Sequence, residues 1–356
     1  QCGDRILLAD GLIEMRVRQV RGREVVCEVV NGGELGEHKG ITLPGVKLRV
    51  PAITPKDRVD LAFALAHGAN YVAASFVRRP EDVRLAKAAI RRAGKDTPVI
   101  AKLEKPEAIE NLDAILQVAD GVMVARGDLG VEMSPERVPV VQKEIIARAR
   151  EFRRPVITAT QMLESMTQNP RPTRAEASDV ANAVFDGSDA VMLSAETATG
   201  KYPVEAVAMM ARIIEEAEGS LQEFRRPAAS EQLIVAETVA ELACHASREL
   251  KMKAIAVFTH SGFTARLVSR YRPQTPIVAF SPEAETRRRL ALIWGVLPRS
   301  ISDVKKIDGL AAIAEKRLLE ERLVRRGDVI GILAGTPMGI RGTTNFMKFH
   351  VIGGGA

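Results

Sequence analysis

Five apolar segments, separated by helix-like patterns, most constrain what this chain can fold into. The segments are YVAASF (71–76), PVIAKL (98–103), GVMVA (121–125), PVITAT (155–160) and AVMLS (190–194). Continuous apolar strands that alternate regularly with helices are typical of a parallel sheet with right-handed crossovers. Helical patterns cover 81–94 and 140–152, and another is expected over 203–218. The sequence therefore predicts an α/β fold.

Polar side chains stand at the carboxyl end of each predicted strand. They are Ser75, Lys102 with Glu104, Arg126 with Asp128, Thr160, and Ser194 with Glu196. In a TIM-type (β/α)8 barrel the active site lies on that face and is built from several different strands. The pattern predicts a catalytic barrel. We find only five βα units, fewer than a closed barrel of this type contains, so we expect it to be incomplete.

The two ends of the chain show other patterns. Residues 1–46 are short β-rich runs separated by DG, RG and NGG turn signals, which predict an all-β, hairpin-rich module. The stretch 219–230 resembles a linker, and 230–356 is expected to form a separate three-layer α/β domain. Its predicted strands are AIAVF (254–258), PIVAF (276–280), VIGIL (329–333) and NFMKFHVI (345–352), and its predicted helices cover 232–250, a segment from Thr264, 283–292 and 308–323.

Composition excludes several classes of function. The net charge is +6, but basic residues are spread along the chain and aromatics make up only 4%, so we expect no nucleic-acid partner and favour a small anionic substrate. No apolar run is long enough for a membrane span. Cys2, Cys27 and Cys244 lie far apart and outside any CxxC motif, as expected of a cytoplasmic protein with reduced thiols.

The first residues of the chain already read as a strand, at 5–9. Natural termini are usually less ordered than this. We therefore expect either a trimmed terminus or a missing upstream segment.

The AKLE motif places Lys102 and Glu104 two residues apart at a strand end, where the alternation of a strand points both to one side. Such a pair is either a structural ion pair or, at an active-site rim, a functional one. ARGDLG sets Asp128 beside Gly127, where backbone amides can approach an anion. Glu104 and Asp128 together predict a two-carboxylate Mg²⁺ site. Lys102 adds the positive charge that phosphoryl transfer or enolate stabilisation requires.

The segment FTHSGFTAR (258–266) is the second candidate site. Thr259, Ser261 and Thr264, with the backbone amides around Gly262, precede a predicted helix. This arrangement fits a phosphate cradle, and it fits a Ser/Thr helix cap nearly as well.

Long motifs in this chain resemble those of the pyruvate kinase family. They are KGITLPGVKL (39–48), AKLEKPEAIENLD (101–113), DGVMVARGDLGVE (120–132), the run from ATQMLESM to GKYPVEAV (159–207) and LIWGVLP (292–298). The resemblance covers residues 40–350 almost continuously. It implies a partial β-rich lid (B) domain over 1–46, the carboxyl-terminal part of the barrel (A) domain over 47–220 and a carboxyl-terminal regulatory domain over 230–356.

The resemblance also implies roles for single residues. Lys102 matches the lysine that neutralises the phosphoryl group passing from phosphoenolpyruvate to ADP, so the chain is expected to be a phosphotransferase of glycolysis that yields pyruvate and ATP. Glu104 and Asp128 match the Mg²⁺ ligands. Ser75 matches a serine close to the phosphate.

A second group of implied roles concerns the substrate carboxylate. Backbone amides at Gly127 and Asp128, with Thr160, match the group that holds it. Thr160 also belongs to the route that protonates the enolate at carbon 3. Arg126 is expected to organise the neighbouring loop. The helix that contains 173–176 lies near a subunit interface in the family, so Thr173, Arg174 and Glu176 are interpreted as structural.

The resemblance extends to partners and regulation. It implies K⁺ as a second cation, although the loops that carry the K⁺ ligands in the family are absent from this sequence. It implies a homotetramer, and an allosteric sugar-phosphate or nucleotide effector at Thr259, Ser261, Gly262 and Thr264.

Two alternatives stay open. Mg²⁺-dependent pyruvate-type aldolases also place a Glu and an Asp on barrel strands, although they do not account for Lys102 or the last domain. Alternatively, the 356-residue chain is itself the product, without turnover, and acts as an effector-binding or assembly module. In that case we expect negligible pyruvate formation.

Overall fold

The computed structural model describes residues 1–9, 11–37, 39–46, 51–220, 235–304, 306–337 and 343–354. The chain forms two compact units, Gln1–Ser220 and Leu221–Ala356. Of the predicted linker 219–230, the first two residues end a helix, and the rest lies outside the described residues.

A four-stranded antiparallel sheet opens the first unit. Its strands are β1 (Arg5–Leu8), β2 (Ile13–Arg21), β3 (Glu24–Asn31) and β4 (Ile41–Thr42). They lie in the order β3-β2-β1-β4. Gly22 joins β2 to β3 with φ +60, the left-handed conformation that a tight hairpin turn needs. Leu7, Leu8 and Ile13 are buried, whereas β3 is exposed along most of its length.

A parallel sheet of five strands forms the centre of the first unit. The strands are β5 (Val72–Ala74), β6 (Val99–Leu103), β7 (Gly121–Ala125), β8 (Val156–Ala159) and β9 (Ala190–Met192). They lie side by side in sequence order, and each pair of neighbours is parallel. The predicted α/β fold with five βα units is confirmed.

Nine α-helices accompany the two sheets of this unit in the part that the structure describes. They are α1 (Pro55–Ala66), α2 (Pro80–Arg92), α3 (Pro106–Glu110), α4 (Leu112–Val118), α5 (Arg126–Glu132), α6 (Val138–Glu151), α7 (Arg174–Asp186), α8 (Ala195–Ala198) and α9 (Pro203–Ser220). Helix α1 was not predicted, because only Leu65 of its twelve residues is buried and its apolar periodicity is weak. Among the helices of the described ranges, none is long and apolar enough to cross a membrane.

The three central strands are buried and the two edge strands are less so. Nearly every residue of β6, β7 and β8 is buried, whereas β5 and β9 are partly exposed. Packing is close at Gly121, where a Cβ atom would come within 2.6 Å of the Ile100 side chain and 3.1 Å of the Pro155 carbonyl. A larger residue at this position would displace the Ile100 side chain and crowd the Pro155 carbonyl.

Two aspartates form hydrogen bonds that join the amino-terminal ends of neighbouring strands. The Asp120 amide donates to the carbonyl of Val99 at 2.9 Å, and the Val99 amide donates back to the Asp120 carboxylate at 2.8 Å. Asp189 and Val156 repeat the arrangement one pair of strands further on, with both distances 2.8 Å. Each exchange fixes the register in which a strand starts, and hence the position of the residue at its far end.

The second unit is a five-stranded mixed sheet in the order β12-β11-β10-β13-β14, in which only β14 is antiparallel to its neighbour. The strands are β10 (Ala254–Phe258), β11 (Ile277–Ser281), β12 (Val296–Ser300), β13 (Val329–Gly335) and β14 (Thr344–Val351). The helices are α10 (Val235–Glu249), α11 (Phe263–Arg270), α12 (Ala284–Leu290) and α13 (Leu310–Glu320).

Helices cover both faces of this sheet. Ile255 and Val257 of β10 pack with residues of α10 and α11, whereas Ala254, Ala256 and Phe258 pack with residues of α13. The unit therefore has the predicted three layers. Strand β12 was not predicted, because Pro298 interrupts the pattern. It is nevertheless a strand, since it lies at the sheet edge, where a missing N–H is tolerated.

Candidate active site

The register of the parallel sheet brings the predicted site residues to one edge. Ala74 pairs with Ala101, so the next residues, Ser75 just after β5 and Lys102 near the end of β6, lie at the same level. Ala125 pairs with Ala159, which places Arg126 beside Thr160 in the same way. The carboxyl ends of parallel strands meet at one edge of a sheet, and these side chains share that edge.

Lys102 and Glu104 form the centre of the first cluster. The Lys102 Nζ lies 2.6 Å from Glu104 Oε1 and donates to Ser75 Oγ at 3.1 Å. Lys102 is 26% exposed, whereas Glu104 is 1% exposed. A buried carboxylate is stable as an anion only when it is paired and hydrogen-bonded. Lys102 supplies the charge partner, and its own side chain is only partly buried.

The backbone of Phe76 supplies the second donor to Glu104. Its amide donates to Glu104 Oε2 at 2.8 Å. Phe76 has φ +54, a left-handed conformation that is unfavourable for a bulky residue. The residue directly after Ser75 is thus held in a strained conformation that turns its N–H towards the buried carboxylate. Sequence reasoning missed this contribution, because a phenylalanine gives no signal of positive φ.

Thr160 is the centre of the second cluster. Its hydroxyl accepts from the Gly127 amide at 2.7 Å and donates to the Ala159 carbonyl at 2.6 Å. Thr160 and Gln161 have φ +70 and +52, so two consecutive residues other than glycine adopt the left-handed region. A Cβ atom on Gly127 would lie 3.4 Å from the Thr160 hydroxyl, at ordinary van der Waals distance.

Arg126 holds the strained turn in place. Its guanidinium donates to the Thr160 carbonyl at 2.7 Å and to the Ala159 carbonyl at 3.3 Å, and it pairs with Asp179 of α7 at 2.7 Å. These contacts use the donors of the guanidinium within the protein. The arrangement agrees with a loop-organising role for Arg126.

Asp128 lies in the first turn of α5 and is exposed. Within the described ranges, no group of three or more His, Cys, Asp or Glu residues has the geometry of a metal site. Mg²⁺ does not require one, because it commonly takes one or two protein carboxylates and completes its shell with water and substrate phosphate. Glu104 accepts one donor on each oxygen, and a carboxylate offers further lone pairs. The donor set of Glu104 and Asp128 therefore fits this ion.

Glu196 is a buried carboxylate at the end of the last strand. It accepts from the Ser194 amide at 2.7 Å and the Leu163 amide at 3.1 Å, and it is fully buried. It links the segment after β9 to the segment that follows Thr160.

Glu176, at the start of α7, also links two segments by accepting hydrogen bonds. Burial alone would raise the pKa of the Glu176 carboxyl, but hydrogen bonds from Ser165 and Thr173 outweigh it and lower the pKa below its ordinary value. With Thr173 it forms a capping box. These contacts account for both residues within the first unit.

The candidate effector loop lies between β10 and α11. The Thr259 hydroxyl accepts from the Gly262 amide at 2.9 Å, and the Thr264 hydroxyl shares a 2.6 Å hydrogen bond with Thr344. Two of the three predicted hydroxyls thus have partners inside the protein. Gly262 has φ +76, and α11 begins without a side-chain cap. Ser261 and the first amides of α11 are the groups that a phosphate at this loop would use.

Comparisons with known proteins identify the family. Residues 1–207 match the model of the pyruvate kinase barrel domain, and residues 237–350 match that of the pyruvate kinase alpha/beta domain. A Staphylococcus saprophyticus protein named pyruvate kinase is 48% identical over 99% of this chain, and one from Clostridium acetobutylicum is 44% identical over 98%. The chain spans 61% of the length of the first and 75% of the second. It belongs to the pyruvate kinase family.

Proposed function

We propose that this chain carries the residues that transfer a phosphoryl group from phosphoenolpyruvate to ADP in the cytoplasm. Lys102 carries the proposal. Its ammonium is held by Glu104 and Ser75 at a strand end, and its side chain is 26% exposed. A fixed positive charge at this position would neutralise the phosphoryl group while its bond to the enol oxygen breaks and its bond to the ADP oxygen forms. Membership in the family supports the same reaction.

Glu104 and Asp128 would hold Mg²⁺, which when bound adds positive charge against the phosphate oxygens. Glu104 is buried and doubly hydrogen-bonded, so it has a fixed orientation. Asp128 is exposed and follows Gly127 in the first turn of α5. The family generally uses K⁺ as well, and we assign no K⁺ ligand in this chain.

Thr160 would serve the second half of the reaction. Once the phosphoryl group has left, the enolate takes a proton at carbon 3 and becomes pyruvate. The Thr160 hydroxyl donates to Ala159 and accepts from Gly127, and rotation away from Ala159 would free its proton. Gly127 and Asp128 amides beside it would bind the substrate carboxylate.

Regulation and assembly belong to the same proposal. A sugar phosphate or nucleotide would bind at Ser261 and the amides after Gly262, with Thr259 and Thr264 shaping the loop from inside. A homotetramer is the expected assembly. Free Cys2, Cys27 and Cys244 support a reducing, cytoplasmic setting.

The test compares the 356-residue chain with its Lys102→Met variant in two assays. The first couples pyruvate formation to NADH oxidation with phosphoenolpyruvate, ADP, Mg²⁺ and K⁺. The second follows exchange of the pyruvate methyl hydrogens in D₂O by NMR, and it reports on enolisation where net turnover is small. We expect Lys102→Met to slow both reactions by roughly a hundredfold or more.

The matched control is Lys56→Met, because Lys56 is an exposed lysine that pairs with Asp60 on α1. It should leave both rates unchanged. Equal rates in the unmodified chain and Lys102→Met would show that Lys102 is misassigned. Aldehyde condensation in place of ADP phosphorylation would favour the aldolase alternative.

A further inference from the structure

A second buried ion pair lies next to the proposed metal site. Lys105 follows Glu104 by one residue and forms a salt bridge with Glu132, the last residue of α5. Lys105 is 19% exposed and Glu132 is 6% exposed. The nearly buried Glu132 carboxylate needs a charge partner to be stable as an anion, and Lys105 supplies it.

The spacing on α5 gives this pair its significance. Glu132 is four residues after Asp128, and residues i and i+4 lie on the same face of a helix, one above the other. The face of α5 that carries Asp128 is therefore the face that Glu132 ties to Lys105. Because Lys105 is bonded through the backbone to Glu104, the salt bridge links the two carboxylates through a short and rigid path.

Phe76 contacts both Lys105 and Glu104. Its ring lies under the Lys105 ammonium, 5.8 Å from the centroid, and its amide donates to Glu104. A cation over an aromatic face is attracted to it. Lys105 thus contacts both α5 and the strained residue that orients Glu104.

We propose that Lys105 and Glu132 are positioning residues that set the separation and orientation of Glu104 and Asp128. The inference rests on the proposed function, because it assumes that these two carboxylates bind the metal. Lys105 and Glu132 themselves touch neither metal nor substrate. Partners of this kind typically change metal affinity by roughly ten- to a hundredfold when they are removed.

The test measures Mn²⁺ binding to the 356-residue chain by the loss of the free-ion EPR signal. Lys105→Met and Glu132→Gln should each raise the dissociation constant roughly tenfold or more. Lys105→Arg, which keeps a cation in reach of Glu132, should recover most of the affinity. The matched control is Lys143→Met, which breaks a pair with the buried Asp186 between α6 and α7 and should leave Mn²⁺ binding unchanged.

The outcomes separate the two proposals. If Glu104→Gln abolishes Mn²⁺ binding and Lys105→Met has no effect, the carboxylate site stands and the positioning role is refuted. If Glu104→Gln has no effect, or the unmodified chain takes up no Mn²⁺, the proposed metal site is refuted.

Hydrogen exchange tests the positioning role without metal. Lys105→Met should speed amide exchange at 76–77 and 126–133, whereas Lys143→Met should not. Unchanged exchange at both segments would overturn the inference even where Mn²⁺ binding is lost.

Discussion

The Lys102–Glu104 pair allows a test that does not depend on turnover. Glu104 is 1% exposed and receives Lys102 at 2.6 Å and the Phe76 amide at 2.8 Å. In Lys102→Met the Glu104 carboxylate stays buried and loses the charge partner that Lys102 supplies. Removal of one partner of a buried pair destabilises a protein by about 3–5 kcal/mol. Because the Lys102 side chain is 26% exposed and the Phe76 hydrogen bond remains, we expect a loss of stability at the lower end of this range, about 3 kcal/mol.

The double variant Lys102→Met/Glu104→Gln should behave differently. It removes both charges, and the glutamine oxygen can still accept from the Phe76 amide. Replacement of both partners of a buried pair is commonly near neutral, so we expect a loss of about 1 kcal/mol. The difference between the single and the double variant measures the buried charge directly.

The assay is urea unfolding followed by circular dichroism at 222 nm. Trp294, the single tryptophan, lies in the second unit, so an unchanged emission spectrum before denaturation shows that this unit is still folded in each variant. A single variant within about 0.5 kcal/mol of the unmodified chain would match a surface substitution. That result would refute the burial argument for Glu104.

Three further predictions follow from other parts of the chain. Thr160→Val should lose pyruvate methyl exchange and about 1 kcal/mol of stability, since the Gly127 amide loses its acceptor, whereas Thr160→Ser should retain exchange in the same NMR assay. The pKa of the Glu176 carboxyl is lower in the folded protein than its ordinary value of 4.5, so the ionised carboxylate stabilises the fold above pH 4.5, and this stability is lost as pH falls through the lower folded value. Acid titrations of Glu176→Gln should lack that loss, and an unchanged acid transition would contradict the prediction. Burial, and to a lesser extent Glu241, raises the pKa of the Cys244 thiol well above its usual range, so iodoacetamide should label exposed Cys2 in the native protein and Cys244 only after denaturation, as read by peptide mass spectrometry. Equal native labelling of both thiols would contradict this.

The sequence predicted the parts of the fold that leave a long periodic signal. Strands β6, β7 and β8 are buried on both faces over most of their length and therefore appear as mainly apolar runs. Helix α1 and strand β12 were not predicted, for two different reasons. Helix α1 buries too little to show an apolar stripe, and β12 contains a proline that an edge strand tolerates.

The candidate site was predictable only as far as its residues sit at strand ends. Ser75, Lys102, Glu104 and Thr160 follow directly from the positions of the strands. The partners that hold them do not, because Lys105 and Glu132 are 27 residues apart and meet only through the fold. The residue types and the spacing of Lys105 and Glu132 form no local sequence pattern. Their contact is seen only when the structure shows where β6 and α5 lie.

The strained residues of the first unit help to fix the geometry of the candidate site. Phe76, two residues after β5, and Thr160, directly after β8, adopt left-handed conformations. Strain of this kind costs of order 1–3 kcal/mol per residue. At each position a hydrogen bond with a charged side chain offsets this strain. Glu104 accepts a hydrogen bond from the Phe76 amide, and Arg126 donates one to the Thr160 carbonyl. Relaxed loops would not need these contacts. The hydrogen bonds that orient Glu104 and the Thr160 hydroxyl are therefore the same ones that keep the strained turns folded, so the geometry of the site cannot loosen without loss of local stability.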